Sequence, residues 1–147
     1  MFWLSPDITF FCLAHFIQEK MDVELSAIID ITDKPKIFFK SQKLVNFKKI
    51  WFFHENIDKK KFKNPDENYL KNFESKYKID LWKLILNERI YKFYNFHTFS
   101  RNEILSIAEQ SCKLFENVLT ENKPDYVIMH DPRFHHLEIF YQLCKKL

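Results

Sequence analysis

Short apolar runs alternate along this chain with longer stretches in which apolar side chains recur at helical spacing. A run of roughly four to eight apolar residues predicts a β-strand, and an uninterrupted run predicts a strand covered on both faces. Four segments that are apolar for most of their length are predicted as strands on this ground: Met1–Leu4, Glu24–Ile31, Phe47–Phe53 and Tyr126–Met129. The first, second and fourth lead into Ser, Thr or Asp close to a proline, which is typical of a helix start.

Helices are predicted in the stretches between these runs. They cover Asp7–Lys20, Lys34–Lys43 (a short helix or turn), Glu67–Tyr77, Asp80–Tyr94, Ser100 to about Glu121, and Arg133–Lys146. Ser100 and Glu103 have capping-box spacing, while Asp131 and Pro132 predict the cap and first residue of the last helix. Because the chain contains no glycine, asparagine is expected at left-handed helix ends.

Strands that alternate with helices predict an α/β fold. We expect a single three-layer, Rossmann-like domain over residues 1–147, with a parallel sheet of about four strands and helices on both faces. Right-handed crossovers give the expected strand order 3-2-1-4. In open parallel sheets ligands bind beyond the carboxyl ends of the strands, so the polar residues that follow the predicted strands mark the expected site.

Composition narrows the classes of function. The chain has 147 residues, 46% of them hydrophobic, which excludes a disordered tail. The absence of glycine excludes glycine-rich dinucleotide loops and the P-loop. The net charge of +3 is smaller than the positive charge expected of a dedicated nucleic-acid-binding protein. No secretory leader is recognisable, and no apolar run approaches the roughly 18 residues of a membrane span. The three scattered cysteines are typical of a protein from a reducing compartment. A cytoplasmic location is therefore expected.

The densest group of polar side chains follows the last predicted strand. It comprises His130, Asp131, Arg133, His135 and His136. His130 is a candidate general base or a ligand of the acceptor. Asp131 would cap the helix and orient His130, and Arg133 would bind an anion. A metal site is an alternative, disfavoured because adjacent helical side chains point about 100° apart. The other alternative is a plain helix start with its histidines on the surface.

The ends of the other predicted strands supply further substrate-binding candidates. Ser5, Asp30 and His54 follow the first three strands, and parallel strands would place them on one rim. An acidic residue in the position of Asp30 can hydrogen-bond a ribose, whereas the alternative is a cap or solvated turn. Arg89 is a candidate phosphate or carboxylate ligand, although the sequence Asn87-Glu88-Arg89 also fits helix-end packing with a buried ion pair.

Residues Lys34–Lys63 form a basic segment with ten lysines and two acidic residues. Aromatic residues Trp51–Phe53 lie within it, and lysines interleaved with aromatic rings can contact an anionic membrane or nucleic acid. Because the predicted strand would place these aromatic rings in the core, a solvated basic edge is the favoured interpretation. Peripheral contact with an anionic membrane is the alternative, and nucleic acid is the less favoured partner.

The whole chain resembles the N-terminal, Rossmann-like half of GT-B-type glycosyltransferases of surface and capsular polysaccharide biosynthesis. The resemblance is carried by Met1–Pro6 with its following helix, by Asn87–Tyr91, and by the amphipathic helix that leads to Lys123–Asp131. It implies two Rossmann-like domains facing a cleft. The N-terminal half would bind a sugar or glycolipid acceptor, and the C-terminal half a nucleotide sugar.

On this interpretation the chain holds the acceptor half alone. No cofactor is expected in it, and hexosyl transfer would need the C-terminal nucleotide-sugar-binding domain. The helix that ends in Leu-Cys-Lys-Lys-Leu without a glycine leads us to expect a longer, two-domain protein. The chain departs from the family pattern by lacking a glycine-rich loop after the first strand. The alternative is a non-catalytic Rossmann-like module that binds a nucleotide or a partner.

Overall fold

The structure is a computed structural model that describes residues 1–5, 8–31, 34–57, 64–86, 88, 91 and 97–147, with the backbone alone at 34 and 35. The chain divides into two compact units. Unit 1 contains Met1–Asn56 and Asn122–His130, and unit 2 contains Ile57–Glu121 and Asp131–Leu147. Within the described ranges there are seven helices and a three-stranded sheet.

Unit 1 is built on a parallel sheet of three strands in the order β1-β2-β3. The strands are β1 Phe2–Leu4, β2 Leu25–Ile29 and β3 Phe47–Phe52. All three were expected from their apolar runs, and the α/β class is confirmed. Every residue of β1 and β2 is buried, which explains why their sequences are apolar apart from Ser26.

The fourth expected strand, Tyr126–Met129, is reduced to a single parallel bridge between Ile128 and Phe2. The amide of Trp3 donates to the carbonyl of Ile128, and the amide of Ile128 donates to the carbonyl of Met1, both at 2.9 Å. The bridge lies beside β1, as the order 3-2-1-4 requires, but the count of four strands is wrong. Among the described residues β1 pairs with β2 at three positions but bridges this segment only at Ile128, and Tyr126 remains 83% exposed.

Three helices complete unit 1: α1 Thr9–Lys20, α2 Lys34–Ser41 and the short α3 Phe53–Asn56. Phe11 of α1 contacts the rings of Phe38 and Phe39 of α2 edge-on, at 5.4 and 5.5 Å. The two helices therefore lie side by side. Their buried side chains share one core cluster with alternate residues of the sheet: Phe2, Leu4, Phe11, Ala14, Leu25, Ala27, Ile29, Ile31, Phe39 and Val45.

The secondary structure described in unit 2 is helical. Its helices are α4 Glu67–Tyr77, α5 Leu81–Leu86, α6 Arg101–Asn122 and α7 His135–Cys144. Helix α4 has its expected bounds, whereas α5 is described only to Leu86. None of the helices in the described part of the chain is both long and apolar enough to cross a membrane.

Local capping explains where three of these helices begin. The amide of Glu103 donates to the hydroxyl of Ser100, and the amide of Ser100 donates to the carboxylate of Glu103, so the predicted capping box is confirmed. Asp66 accepts from the amide of Tyr69, and Asp80 accepts from the amide of Lys83, each at 2.9 Å. The start of α7 is different and is described with the candidate site.

Helices α4 and α6 are joined through the carboxylate of Glu116. The hydroxyls of Tyr69 and Tyr77 donate to it at 2.7 and 2.6 Å, and the ammonium of Lys76 lies at 3.0 Å. Burial by itself would raise the pKa of Glu116, but these hydrogen bonds outweigh burial and hold that pKa below its usual value of 4.5. The ionised carboxylate therefore stabilises the contact between the two helices.

Left-handed backbone occurs at two lysines among the described residues, so the expectation of asparagine is wrong. Lys78, the C-cap of α4, has φ 57°, and Lys123 has φ 40°. Replacing Lys78 with glycine removes the Cβ that disfavours this conformation, and we expect a gain of roughly 0.5–1 kcal/mol in the free energy of unfolding. Lys71→Gly, in the exposed interior of the same helix, should instead cost about 1 kcal/mol. Urea unfolding followed by circular dichroism measures both; equal signs would contradict the capping explanation.

Glu116→Gln should lower the free energy of unfolding by roughly 1–3 kcal/mol at neutral pH, because it removes the charged acceptor. The folded pKa of Glu116 lies below its unfolded value, so its contribution is present above pH 4.5 and is lost as the pH falls through the folded pKa. The difference in stability between the wild type and the variant should therefore shrink below about pH 4.5 in parallel urea titrations. A pH-independent difference would contradict an ionised Glu116.

Candidate functional site

The carboxyl ends of the three strands lie along one edge of the sheet in unit 1. The register pairs Leu4 with Ile29 and Ile29 with Phe52, so the residues that follow each strand are neighbours. Ser5 and Asp30 follow β1 and β2, and His54 follows β3 by two residues. We call this row, together with His130, the carboxyl edge. The expectation that parallel strands place these residues on one rim agrees with this register.

Asp30 and His54 form the most direct polar contact of the carboxyl edge. Oδ1 of Asp30 lies 2.8 Å from Nε2 of His54. The Asp30 side chain is largely covered, and its amide donates to the carbonyl of Leu4 at 2.8 Å, which ties it to the end of β1. The imidazole of His54 is 46% exposed. A covered carboxylate therefore orients a histidine that solvent can reach.

His130 is held at the edge by an aromatic stack. Its ring lies 4.2 Å from that of Phe10 in α1, with 24° between the two planes. The bridge between Ile128 and Phe2 aligns the segment before His130 with β1, and so brings this histidine to the carboxyl end of the sheet. His130 is half-buried, so one part of its ring remains accessible. Its role as a base or ligand stays a prediction.

Asp131, Arg133 and Arg89 are the remaining predicted site residues. Asp131 and Arg133 belong to unit 2, where both are exposed. The expected cap is wrong: α7 begins at His135, its N-cap is Phe134, and no side chain of that cap closes the helix. Pro132 is accordingly not the first helical residue. Arg89 lies outside the described residues.

A buried carboxylate from a distant segment starts α7 instead. Oε2 of Glu88 accepts from the amide of His135 at 2.8 Å and lies 2.9 Å from its Nδ1. Nε2 of the same imidazole lies 3.3 Å from the hydroxyl of Tyr91. Both Glu88 and His135 are buried. A carboxylate at a helix N-terminus satisfies unpaired amides and interacts favourably with the helix dipole, so Glu88 replaces the missing cap.

Burial sets the protonation of this cluster. It lowers the pKa of His135 below its usual 6.5, and the hydrogen bond to Glu88 opposes this only in part. Burial and the nearby Glu88 raise the pKa of Tyr91. A neutral imidazole between a carboxylate and a phenol can relay hydrogen bonds, but the primary effect of the cluster is to fix the start of α7.

The sequence indicates the burial of Glu88 but not that of His135. The Asn87-Glu88-Arg89 segment fits a buried ion pair, and Glu88 is buried with a histidine as its partner. The interpretation that places the histidines after residue 133 on the helix surface is wrong for His135. His135 precedes Ile139 by four residues and Leu143 by eight. This helical spacing is the sequence signal that places all three on the buried stripe of α7.

No group of three or more His, Cys, Asp or Glu side chains in the described ranges is arranged to hold a metal ion. Comparisons of the chain with protein-family models, with curated proteins and with solved structures return no match. The resemblance to GT-B-type glycosyltransferases therefore stays a prediction, and so do the roles of the individual site residues.

Glu88→Ala should lower the free energy of unfolding by roughly 3–5 kcal/mol, because it leaves the buried amide and imidazole of His135 without their acceptor. The matched control is Lys113→Ala, which removes an exposed pair with Glu109 of 2.6 Å and should cost less than about 1 kcal/mol. Urea unfolding compares the two variants. Similar costs would contradict the assignment of Glu88 as the group that fixes α7.

Proposed function

We propose that the carboxyl edge of unit 1 binds a sugar acceptor, and that the chain is the acceptor-side part of a GT-B-type glycosyltransferase in glycan biosynthesis. The observation that carries this proposal is the pair of Asp30 and His54 at the ends of two parallel strands, 2.8 Å apart. Ligands of open parallel sheets bind at this edge, and the resemblance of the chain to acceptor domains favours the same place.

The chemistry of the Asp30–His54 pair suits a hydroxyl group. A carboxylate at Nε2 favours the tautomer in which Nε2 carries the proton and Nδ1 is the acceptor nitrogen. A neutral acceptor nitrogen can accept a hydroxyl proton as the oxygen attacks an electrophile, and the carboxylate stabilises the imidazolium that forms. His54 thereby joins His130 as a candidate base, with Asp30 as its positioning residue.

The rest of the edge suits the recognition of a polyhydroxylated ligand. The hydroxyl of Ser5 both donates and accepts hydrogen bonds. The stacked rings of Phe10 and His130 add an aromatic surface next to polar atoms. Adjacent strands are about 4.8 Å apart, so the three strands and the segment bridged at Ile128 together span roughly 14 Å. This width is enough to contact several hydroxyl groups of one ligand.

The resemblance implies that a nucleotide sugar binds a separate C-terminal domain. Arg89 and Arg133 are proposed as ligands of an anionic group, and Asp131 directly follows His130 in the sequence. A three-layer, Rossmann-like arrangement with helices on both faces of the sheet is part of the same proposal. We place this activity in the cytoplasm.

Saturation-transfer NMR of the 147-residue chain with a panel of glucose, galactose, mannose and N-acetylglucosamine tests acceptor binding. We expect transfer to at least one sugar at roughly millimolar affinity. The signal should be lost in His54→Ala and Asp30→Asn. It should persist in His97→Ala, a matched control because His97 pairs with Glu103 at 3.2 Å and is 47% exposed.

Two results would contradict the proposal. One is the absence of transfer to every sugar of the panel, and the other is transfer that His54→Ala and His97→Ala affect equally. Adding uridine diphosphate to the same chain separates the alternative function. Binding of the nucleotide without binding of any sugar would identify a nucleotide-binding module.

A further inference from the structure

Most of the exposed large apolar side chains in the described part of the chain lie in its first third. Of twelve such side chains, seven lie between Ile8 and Leu44. They are Ile8, Leu13, Phe16, Met21, Ile37, Phe38 and Leu44. Single exposed apolar residues are normal, whereas several of them close together mark an interaction surface.

The fold of α2 explains why part of this surface faces solvent. Phe39 is buried in the core cluster, and Phe38 contacts the ring of Phe11. These two residues fix the rotation of the helix and leave Ile37 67% exposed. Leu44, in the loop after α2, is 60% exposed. Neither Ile37 nor Leu44 is needed by the core of unit 1.

The same region is strongly basic. Residues 34–54 contain six lysines and neither Asp nor Glu. Lys36 and Lys40 pair with Glu55 from outside this range, and Lys48 pairs with Glu24 at 2.6 Å. Lys43 is exposed next to Leu44. Ile37, Phe38 and Lys40 of α2 and Lys43 and Leu44 of the following loop are all exposed within eight residues of the chain, and we call these five residues the basic-apolar face.

We propose that the basic-apolar face binds the surface of an anionic lipid bilayer. A helix that combines lysines with exposed aliphatic and aromatic side chains lies at the boundary between headgroups and acyl chains, where both kinds of side chain are satisfied. This surface shares no residue with the carboxyl edge, so the proposal can be tested without a sugar ligand. The proposal assigns the contact with the bilayer to α2 and to the loop that follows α2.

Two other occupants fit the surface less well. Nucleic acid binding needs aromatic faces for stacking, but Trp51 and Phe52 are half-buried and lysine ammonium groups lie over both rings, with Lys49 at 4.9 Å from Trp51. A second copy of the chain would bring two basic faces together, which like-charge repulsion disfavours. An anionic bilayer complements the charge and accepts Ile37 and Leu44.

Co-sedimentation with vesicles tests the proposal on the whole 147-residue chain. We expect binding to phosphatidylcholine vesicles that contain about one third phosphatidylglycerol, weaker binding in about 0.5 M salt, and little binding to phosphatidylcholine alone. The double variant Ile37→Asp, Leu44→Asp should lower the partition coefficient at least about tenfold, because it removes the apolar contact. Lys43→Glu should lower it about fivefold or more.

The control is Leu86→Asp, which changes an equally exposed aliphatic residue (57%) of unit 2 and should leave binding unchanged. Circular dichroism verifies that each variant is folded. Three outcomes overturn the proposal. They are no binding to anionic vesicles at low salt, an equal loss of vesicle binding in the Leu86→Asp control, and vesicle binding that the Ile37→Asp, Leu44→Asp variant leaves unchanged. Salt-sensitive binding of a single-stranded oligonucleotide without vesicle binding would assign the lysines to nucleic acid instead.

Discussion

Hydrogen bonding along both edges of β1 organises unit 1 around a strand of only three residues. One edge pairs with β2, and the other meets the segment that contains Ile128, which returns from the far end of the sequence. The register of these pairings decides which residues meet at the carboxyl edge. A shift of one residue would turn each side chain of a strand to the opposite face, removing Phe2 and Leu4 from the core cluster. The candidate site and the core therefore depend on the same ladder.

Polar groups in the two units occupy different environments, and the difference separates candidate function from stability. The pair of Asp30 and His54 combines a covered carboxylate with an exposed imidazole, so it can meet a ligand. The pair of Glu88 and His135 is buried on both sides, and its carboxylate closes the start of a helix. Both pairs consist of a carboxylate and an imidazole, but one is a candidate for ligand binding and the other stabilises a helix. The degree of burial, rather than the residue type, distinguishes these two roles.

Much of the fold was predictable because local chemistry specifies it. The strands that are buried on both faces are apolar apart from Ser26, and the box formed by Ser100 and Glu103 has a fixed spacing in sequence. The expected fourth strand is reduced to one bridge at Ile128, because an apolar run does not specify how far a segment pairs with its neighbour. Asp131 failed as a cap because a carboxylate more than forty residues away, Glu88, occupies the start of α7. The row Ser5, Asp30 and His54 was predictable, since parallel strands share one direction.

The sequence by itself determined the α/β class, the bounds of most helices and strands, and the polar residues at the strand ends, because hydrophobic periodicity and capping act over a few residues. Tertiary structure alone decided that Asp30 meets His54, that His130 stacks on Phe10, and that His135 is buried against Glu88. It also decided which apolar residues of α2 the core would leave exposed. These outcomes depend on contacts between residues distant in the chain, and local propensity carries no information about which distant groups meet.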